Sequence, residues 1–221
     1  MDIGKALSEG FNVLEKHPVI FVPALLISLL TVYSNTFSTE GITTVQQLIS
    51  WFSFYIPMMI IISLINVFLS AVVILLAFEG RKRKKVSLNR ATKIAAKKYL
   101  SLLGATILVA LAVFAGTIAF IIPGIYLAVK LMFSSYAILI DNKKATDSLK
   151  KSWEITKGRW WEAFALLLII FIIAFVFGFV AGIFEIFSHE AYLIFSFFMY
   201  LFLIPWANAS ILFAYLQIRR K

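Results

Sequence analysis

Long apolar stretches alternate with short amphipathic ones along this chain, and the alternation predicts its elements. Residues 2–16 carry Ile3, Leu7, Phe11 and Leu14 on one stripe, with Lys5, Glu9, Glu15 and Lys16 off it. That pattern predicts an amphipathic helix lying in a headgroup plane. His17-Pro18 ends it, because proline disfavours helix at the preceding residue and suits a new helix start. Apolar spans are expected at 18–34, 56–78, 100–122, 124–140, 161–187 and 192–218. Each approaches or exceeds the ~17–25 residues that cross about 30 Å of hydrocarbon. Pro123-Gly124 leaves almost no loop, so spans 3 and 4 are expected to form an antiparallel hairpin.

Two further amphipathic segments lie between spans. Ser87 is placed to cap a surface helix at 88–99 that carries Lys93, Lys97 and Lys98. A third is expected at 145–157, with Thr146 or Asp147 as its cap and Gly158 just past its end. Leu149, Ser152, Trp153 and Thr156 share its membrane side, while Lys150, Lys151, Glu154 and Lys157 face away. The fold class is therefore all-α: a polytopic membrane bundle of six transmembrane helices with three amphipathic interfacial helices. Residues 1–221 form one integral membrane domain. Its layout, a surface helix followed by a two-span hairpin, occurs at about 2–79, 87–140 and 145–218. Aligning Leu7 with Leu149 also sets Gly10 on Ser152 and Phe11 on Trp153, whereas the middle unit matches only in pattern.

Composition supports the membrane reading. The chain is 62% hydrophobic and 14% charged, against about 45–50% and about 25% in a soluble domain. That leaves no room for a separate soluble domain. The absence of cysteine excludes disulfides, thiolate metal sites and cysteine nucleophiles. No small-residue cleavage site follows an apolar core near Met1, so a removed signal peptide is not expected.

The net charge of +10 is placed rather than spread. Of the 21 Lys and Arg residues, 20 fall in the N-terminal segment, the 2–3 and 4–5 connections or the C-terminal tail, including the run Arg81, Lys82, Arg83, Lys84 and Lys85. By the positive-inside rule, both termini and all three surface helices are cytoplasmic in a multi-pass cell-membrane protein. These cations meet anionic lipid, and nucleic acid is not an expected partner because no soluble module would carry it.

Lys130 is the exception, inside span 4 and near mid-membrane by residue count. A lysine there costs roughly 2.5–3.5 kcal/mol on insertion scales and needs the bundle interior, water or a partner. The alternatives are an anionic lipid or solute group, a neighbouring helix terminus, or an acid such as Glu162 or Glu185. Glu185 and His189 are spaced to pair locally. His17 and His189 fall on opposite sides, so they cannot share a metal. No catalytic or metal motif is present, and neither an enzymatic activity nor a cofactor is expected. Ala112-xxx-Gly116 and Ala174-xxx-Gly178-xxx-Gly182 permit close helix packing, within the bundle or between copies. Pro57, Asn66, Pro205 and Asn208 mark kinks and a polar spot inside spans 2 and 6.

Three stretches carry a family resemblance: Ile122-Pro123-Gly124-Ile125-Tyr126 with Lys130 and Asp141; Ser148 through Trp161; and the tail Ala214 to Arg220, with its Tyr-x-x-x-x-Arg spacing. They resemble a recurrent pattern in prokaryotic membrane proteins related to the membrane domain fused to some glycerophosphoryl diester phosphodiesterases. The phosphodiesterase domain is absent here, so the resemblance implies a fold and a membrane address without that activity.

The leading functional expectation is a non-enzymatic membrane protein that meets lipid or a protein partner at the cytoplasmic face. Trp153, Trp160 and Trp161 would anchor the third surface helix, while Lys150, Lys151, Lys157 and Arg159 would contact anionic headgroups. The alternatives are a small transporter or channel with a cavity near Lys130 and, more distantly, an intramembrane lipid enzyme. A second copy of the chain is a further partner class.

Overall fold

The computed structural model describes residues 1–37, 43–82 and 86–219. Among them the chain is helical throughout: α1 (Ile3–Lys16), a short 3-10 turn at Pro18–Ile20, α2 (Phe21–Asn35), α3 (Val45–Gly80), α4 (Leu88–Ala119), α5 (Ile121–Leu131), α6 (Ser134–Asp141), α7 (Ala145–Ile155), α8 (Trp160–Phe187) and α9 (His189–Ile218). Six helical segments are long and apolar enough to cross a membrane: 18–35, α3, α4, α5 with α6, α8 and α9.

Local chemistry explains several of the helix starts. Asp2 accepts from the Lys5 N–H at 2.9 Å, and Ser87 accepts from the Arg90 N–H at 3.4 Å. Thr44 and Gln47 cap each other reciprocally at 3.2 and 3.1 Å, satisfying N–H groups that a helix leaves without partners.

The core lies at the end of the bundle that holds both termini. There α3 is buried at every position from 71 to 77, yet exposed from 45 to 50. Val73, Leu76, Ile138, Leu166, Leu212 and Tyr215 are almost wholly enclosed. In contrast, Leu111 and Phe114 on α4 and Phe171, Phe175 and Phe179 on α8 point outward. Contiguous exposed apolar faces of this kind suit hydrocarbon, not water.

The first helix is built into this core. Ala6 and Leu14 are buried, the Asp2 N–H donates to Gln217 Oε1 at 2.7 Å, and Gln217 Nε2 donates back to the Asp2 carbonyl at 3.0 Å. Trp206 Nε1 donates to the Leu7 carbonyl at 3.3 Å. Gly10 lets α1 close on α9: a Cβ there would sit 2.9 Å from the Ser210 backbone nitrogen and 3.0 Å from its Cα. Gly10→Ala is expected to cost about 1–3 kcal/mol, the range for overpacking. It should appear as a lower melting temperature in detergent, while Gly4→Ala, whose Cβ would meet only Asp2 at 3.7 Å, leaves melting unchanged.

Several boundaries differ from the expectation. Residues 88–99 are no separate surface helix: α4 runs unbroken from Leu88 to Ala119, because no breaker separates the two patterns. Helix α3 begins at Val45, eleven residues before the expected span. The tight turn is at Phe120, in extended backbone. Pro123 and Gly124 fall in the first turn of α5, where a missing N–H costs nothing. Gly124 instead packs flat on α4, since a Cβ would collide with the Thr117 hydroxyl and lie 3.1 Å from the Thr117 Cα. Ser188 alone links α8 to α9. Finally, span 4 is two helices broken at Met132-Phe133.

Candidate functional site

The break in span 4 is where α7 docks. Helix α5 ends with carbonyls that have no intrahelical partner, and the first N–H groups of α6 are likewise unfilled. Ser152 on α7 serves both sides. Its hydroxyl donates to the Lys130 carbonyl at 2.7 Å and accepts from the Phe133 N–H at 3.1 Å. Ser148, Ser152 and Thr156, spaced one turn apart, are fully buried. The Thr156 hydroxyl returns to the Ser152 carbonyl at 2.8 Å, and that of Ser148 to the Ala145 carbonyl at 2.6 Å.

This hydroxyl row, which shares Ser152 and Thr156 with the expected membrane side, is the face of α7 buried in the bundle. Trp153 is 41% exposed, and Leu149 is half-buried. Thr146 and Asp147 do not cap the helix; Lys144 occupies the N-cap position without a side-chain bond. Gly158 does adopt a left-handed φ of 76°, which turns the chain into α8.

Lys130 is only 5% exposed, but it meets none of the acids expected for it. Glu162 pairs with the Met1 amine, and Glu185 pairs with His189 at 2.8 Å across the α8–α9 junction. The Lys130 ammonium instead lies 5.1 Å from the centre of the Trp153 ring and 5.7 Å from that of Tyr126. It also sits in the last turn of α5, where the carbonyl end of a helix favours a cation. Counting residues from the span ends hides this because the span is not one helix. Tyr126 is held in turn by Trp160, whose ring stacks on it at 5.8 Å and whose Nε1 donates to its carbonyl at 3.4 Å. Trp161 is 75% exposed.

Cations gather on the outward side of α7 and in the turn that follows it, with Asp147 and Glu154 among them. Lys150 and Lys157 are exposed, and Lys151 and Arg159 are half-buried. Among the described residues none of the four side chains makes an ion pair or a hydrogen bond. Of the basic run, Arg81 and Lys82 lie over the Phe78 ring at 5.3 and 5.4 Å, while Arg83, Lys84 and Lys85 lie outside the described residues.

Recesses also lie elsewhere in the bundle. A cavity of about 430 Å³ lies between α3, α4, α6 and α9, bordered by Asn66, Tyr136 and Asn208. It reaches Met132 but not Lys130, so the expected cavity near that lysine is displaced to the far side of the helix break. A second recess of about 500 Å³ between α1, α8 and α9 is lined by Phe11, Phe177, Phe198 and other apolar side chains. The small-residue rows divide. Gly116 packs on Gly124 within the hairpin, whereas a Cβ on Gly178 or Gly182 would meet nothing within 4 Å.

The model of a domain of unknown function, DUF7847, matches residues 1–115 and 107–215. The chain belongs to the DUF7847 family. No curated protein and no solved structure matches it. Both matched segments of this DUF7847 chain include helices of the site, α4 in the first and α5 to α9 in the second. Among its described residues no group of His, Cys, Asp or Glu is arranged to hold a metal ion.

Proposed function

We propose that this DUF7847 protein is a multi-pass cell-membrane protein that binds anionic lipid through α7, with both termini on the cytoplasmic side. The observation that carries the reading is the division of α7 into two faces. One is pinned into the bundle by Ser148, Ser152 and Thr156. The other presents the side chains of Lys150 and Lys151, and the turn that follows α7 adds those of Lys157 and Arg159, all without protein partners among the described residues. A cation near an anionic leaflet contributes about 1 kcal/mol. A rigid helix that offers several at once presents a preformed headgroup surface instead of a flexible tail. Trp153 and Trp161 flank it at the depth where indole rings favour the interface.

In this reading Lys130 is structural. Its charge holds the rings of Tyr126 and Trp153 over the helix break and thereby keeps α7 in register. α1 and the basal part of α4 complete the interfacial layer. Kinship with the membrane domain fused to some phosphodiesterases rests on the motif residues alone and adds no reaction.

The test is lipid retention. The chain carrying K150Q, K151Q, K157Q and R159Q together should melt in detergent as the parent does, because these side chains hold nothing in the fold. Lipid analysis of the purified variant should show phosphatidylglycerol or cardiolipin reduced to the background level of a neutral lipid. Unchanged anionic lipid in the variant would sink the proposal. Selective capture of a soluble protein by the parent, lost in the variant, would favour the partner reading instead.

A further inference from the structure

The cavity between α3, α4, α6 and α9 has an unusual set of polar side chains. Asn66, Ser70, Thr106 and Ser135 all border it, and among the described residues none of the four makes a hydrogen bond with the protein. Several other hydroxyls in the spans return to their own helix, although Ser196 and Ser210 on α9 are buried without a partner. Ser28 bonds the Ala24 carbonyl at 2.9 Å, Thr31 the Ile27 carbonyl at 2.8 Å, and Thr117 the Val113 carbonyl at 2.9 Å. That back-bonding is the ordinary way to hide a hydroxyl from hydrocarbon. The cavity residues forgo it. Asn66 goes further: its carbonyl oxygen is buried and unpartnered, at a cost of about 1–3 kcal/mol for a polar group left without a bond.

Of the rest of the polar border, Ser63 is likewise open, while Tyr136 and Asn208 are already committed. The Tyr136 hydroxyl donates to the Asn208 carbonyl at 3.2 Å, and Asn208 Nδ2 donates to the Ile204 carbonyl at 2.9 Å. That pair forms a rigid wall opposite the open groups of α3. Among the described residues no Lys, Arg, His, Asp or Glu lines the cavity. A charged ligand would therefore be desolvated without compensation. At about 430 Å³ the space falls within the range of small-molecule sites.

We propose that this cavity binds an uncharged group bearing several hydroxyls, with Asn66 as its central contact and Ser70, Thr106 and Ser135 around it. A free polyol and the glycerol headgroup of a neutral lipid offer the same chemistry. The site is separate from the cationic face of α7 and does not depend on lipid binding there.

Radiolabelled glycerol and radiolabelled dioleoylglycerol serve as probes, each measured by equilibrium binding to the purified full chain in phosphatidylcholine nanodiscs. Saturable binding of either is expected. Glycerol binding identifies a free polyol, and binding of dioleoylglycerol alone identifies a lipid headgroup. Asn66→Leu, close in volume but without the amide, should weaken binding about ten-fold, the equivalent of one hydrogen bond to a buried polar group. Because that amide bonds nothing in the protein, the melting temperature of Asn66→Leu should be unchanged or higher. Ser135→Ala should weaken binding about three-fold with no change in melting. Absence of saturable binding of both probes overturns the proposal. So does unchanged affinity in both variants, or a lower melting temperature in Asn66→Leu, which would make the amide structural.

Discussion

Asp141→Ala is expected to destabilise the bundle by about 3 kcal/mol, because two bonds to one charged group are lost together. The Asp141 carboxylate closes the base: Oδ1 accepts from Arg219 Nη1 at 2.7 Å, and Oδ2 accepts from the Tyr215 hydroxyl. Tyr215 is fully enclosed and packs against Phe133 and Tyr136 with ring centres 5.8 and 6.1 Å apart. Hydrogen bonds to charged groups contribute about 1.5–3 kcal/mol each, and alanine removes both while leaving a guanidinium and a hydroxyl without their acceptor. Asp141 and Arg219 side chains are 24% and 22% exposed, so water recovers part of the loss and the cost stays at the low end of the roughly 3–5 kcal/mol seen when a buried pair is broken. Unfolding in mixed detergent micelles measures it. Tyr215→Phe, which removes one bond and no charge, should cost about 1 kcal/mol. If Asp141→Ala unfolds with the parent, the carboxylate does not tie α6 to α9.

Ser152→Ala follows, at about 2–3 kcal/mol. The loss of one hydroxyl strands the Phe133 N–H and leaves the Lys130 carbonyl only the longer 3.5 Å bond from Thr156, in a buried site where an unsatisfied group costs about 1–3 kcal/mol. Ser148→Ala is the control. Its hydroxyl bonds only within its own helix, so the change should stay within about 0.5 kcal/mol, as substitutions away from special features do. Loosening the helix break should also free Trp153 from the Lys130 ammonium. A red shift in tryptophan emission is the accompanying signature. Equal melting of the two variants would contradict the docking role of Ser152.

Much of this architecture is legible from local pattern. Ser87 caps where its spacing predicts, Glu185 and His189 pair, and six apolar segments appear as six long helical elements. Asp141 and the terminal tyrosine and arginine are brought together by the fold: Tyr215 and Arg219 meet that carboxylate. The Tyr-x-x-x-x-Arg spacing itself points to Arg220, which lies outside the described residues.

The departures share a cause. Pro123 has the local signature of a turn but is tolerated in the first turn of α5, and the extended residue is Phe120. Lys130 is isolated only if span 4 is counted as one helix, whereas α7 wedges it open. Asn66 and Asn208 stand out inside the spans by residue type alone. The row Ser63, Asn66, Ser70 at i, i+3 and i+7 is the further signal for the cavity wall, and Ser148, Ser152 and Thr156 at one-turn spacing are the signal for docking.

The sequence by itself determined the all-helical class, the number of helical segments long and apolar enough to cross a membrane, and the clustering of cations near the termini and their neighbouring connections. Those properties depend on composition and on periods of a few residues. Only the tertiary structure decided which face of α7 is buried, what neutralises Lys130 and where a polar cavity opens. Each of these depends on residues far apart in the chain, such as Asp141 and Tyr215, 74 positions apart, or Lys130 and Ser152, 22 apart. Hydrophobic length carries no information about such pairings, because every apolar span satisfies the bilayer equally well before its polar groups find one another.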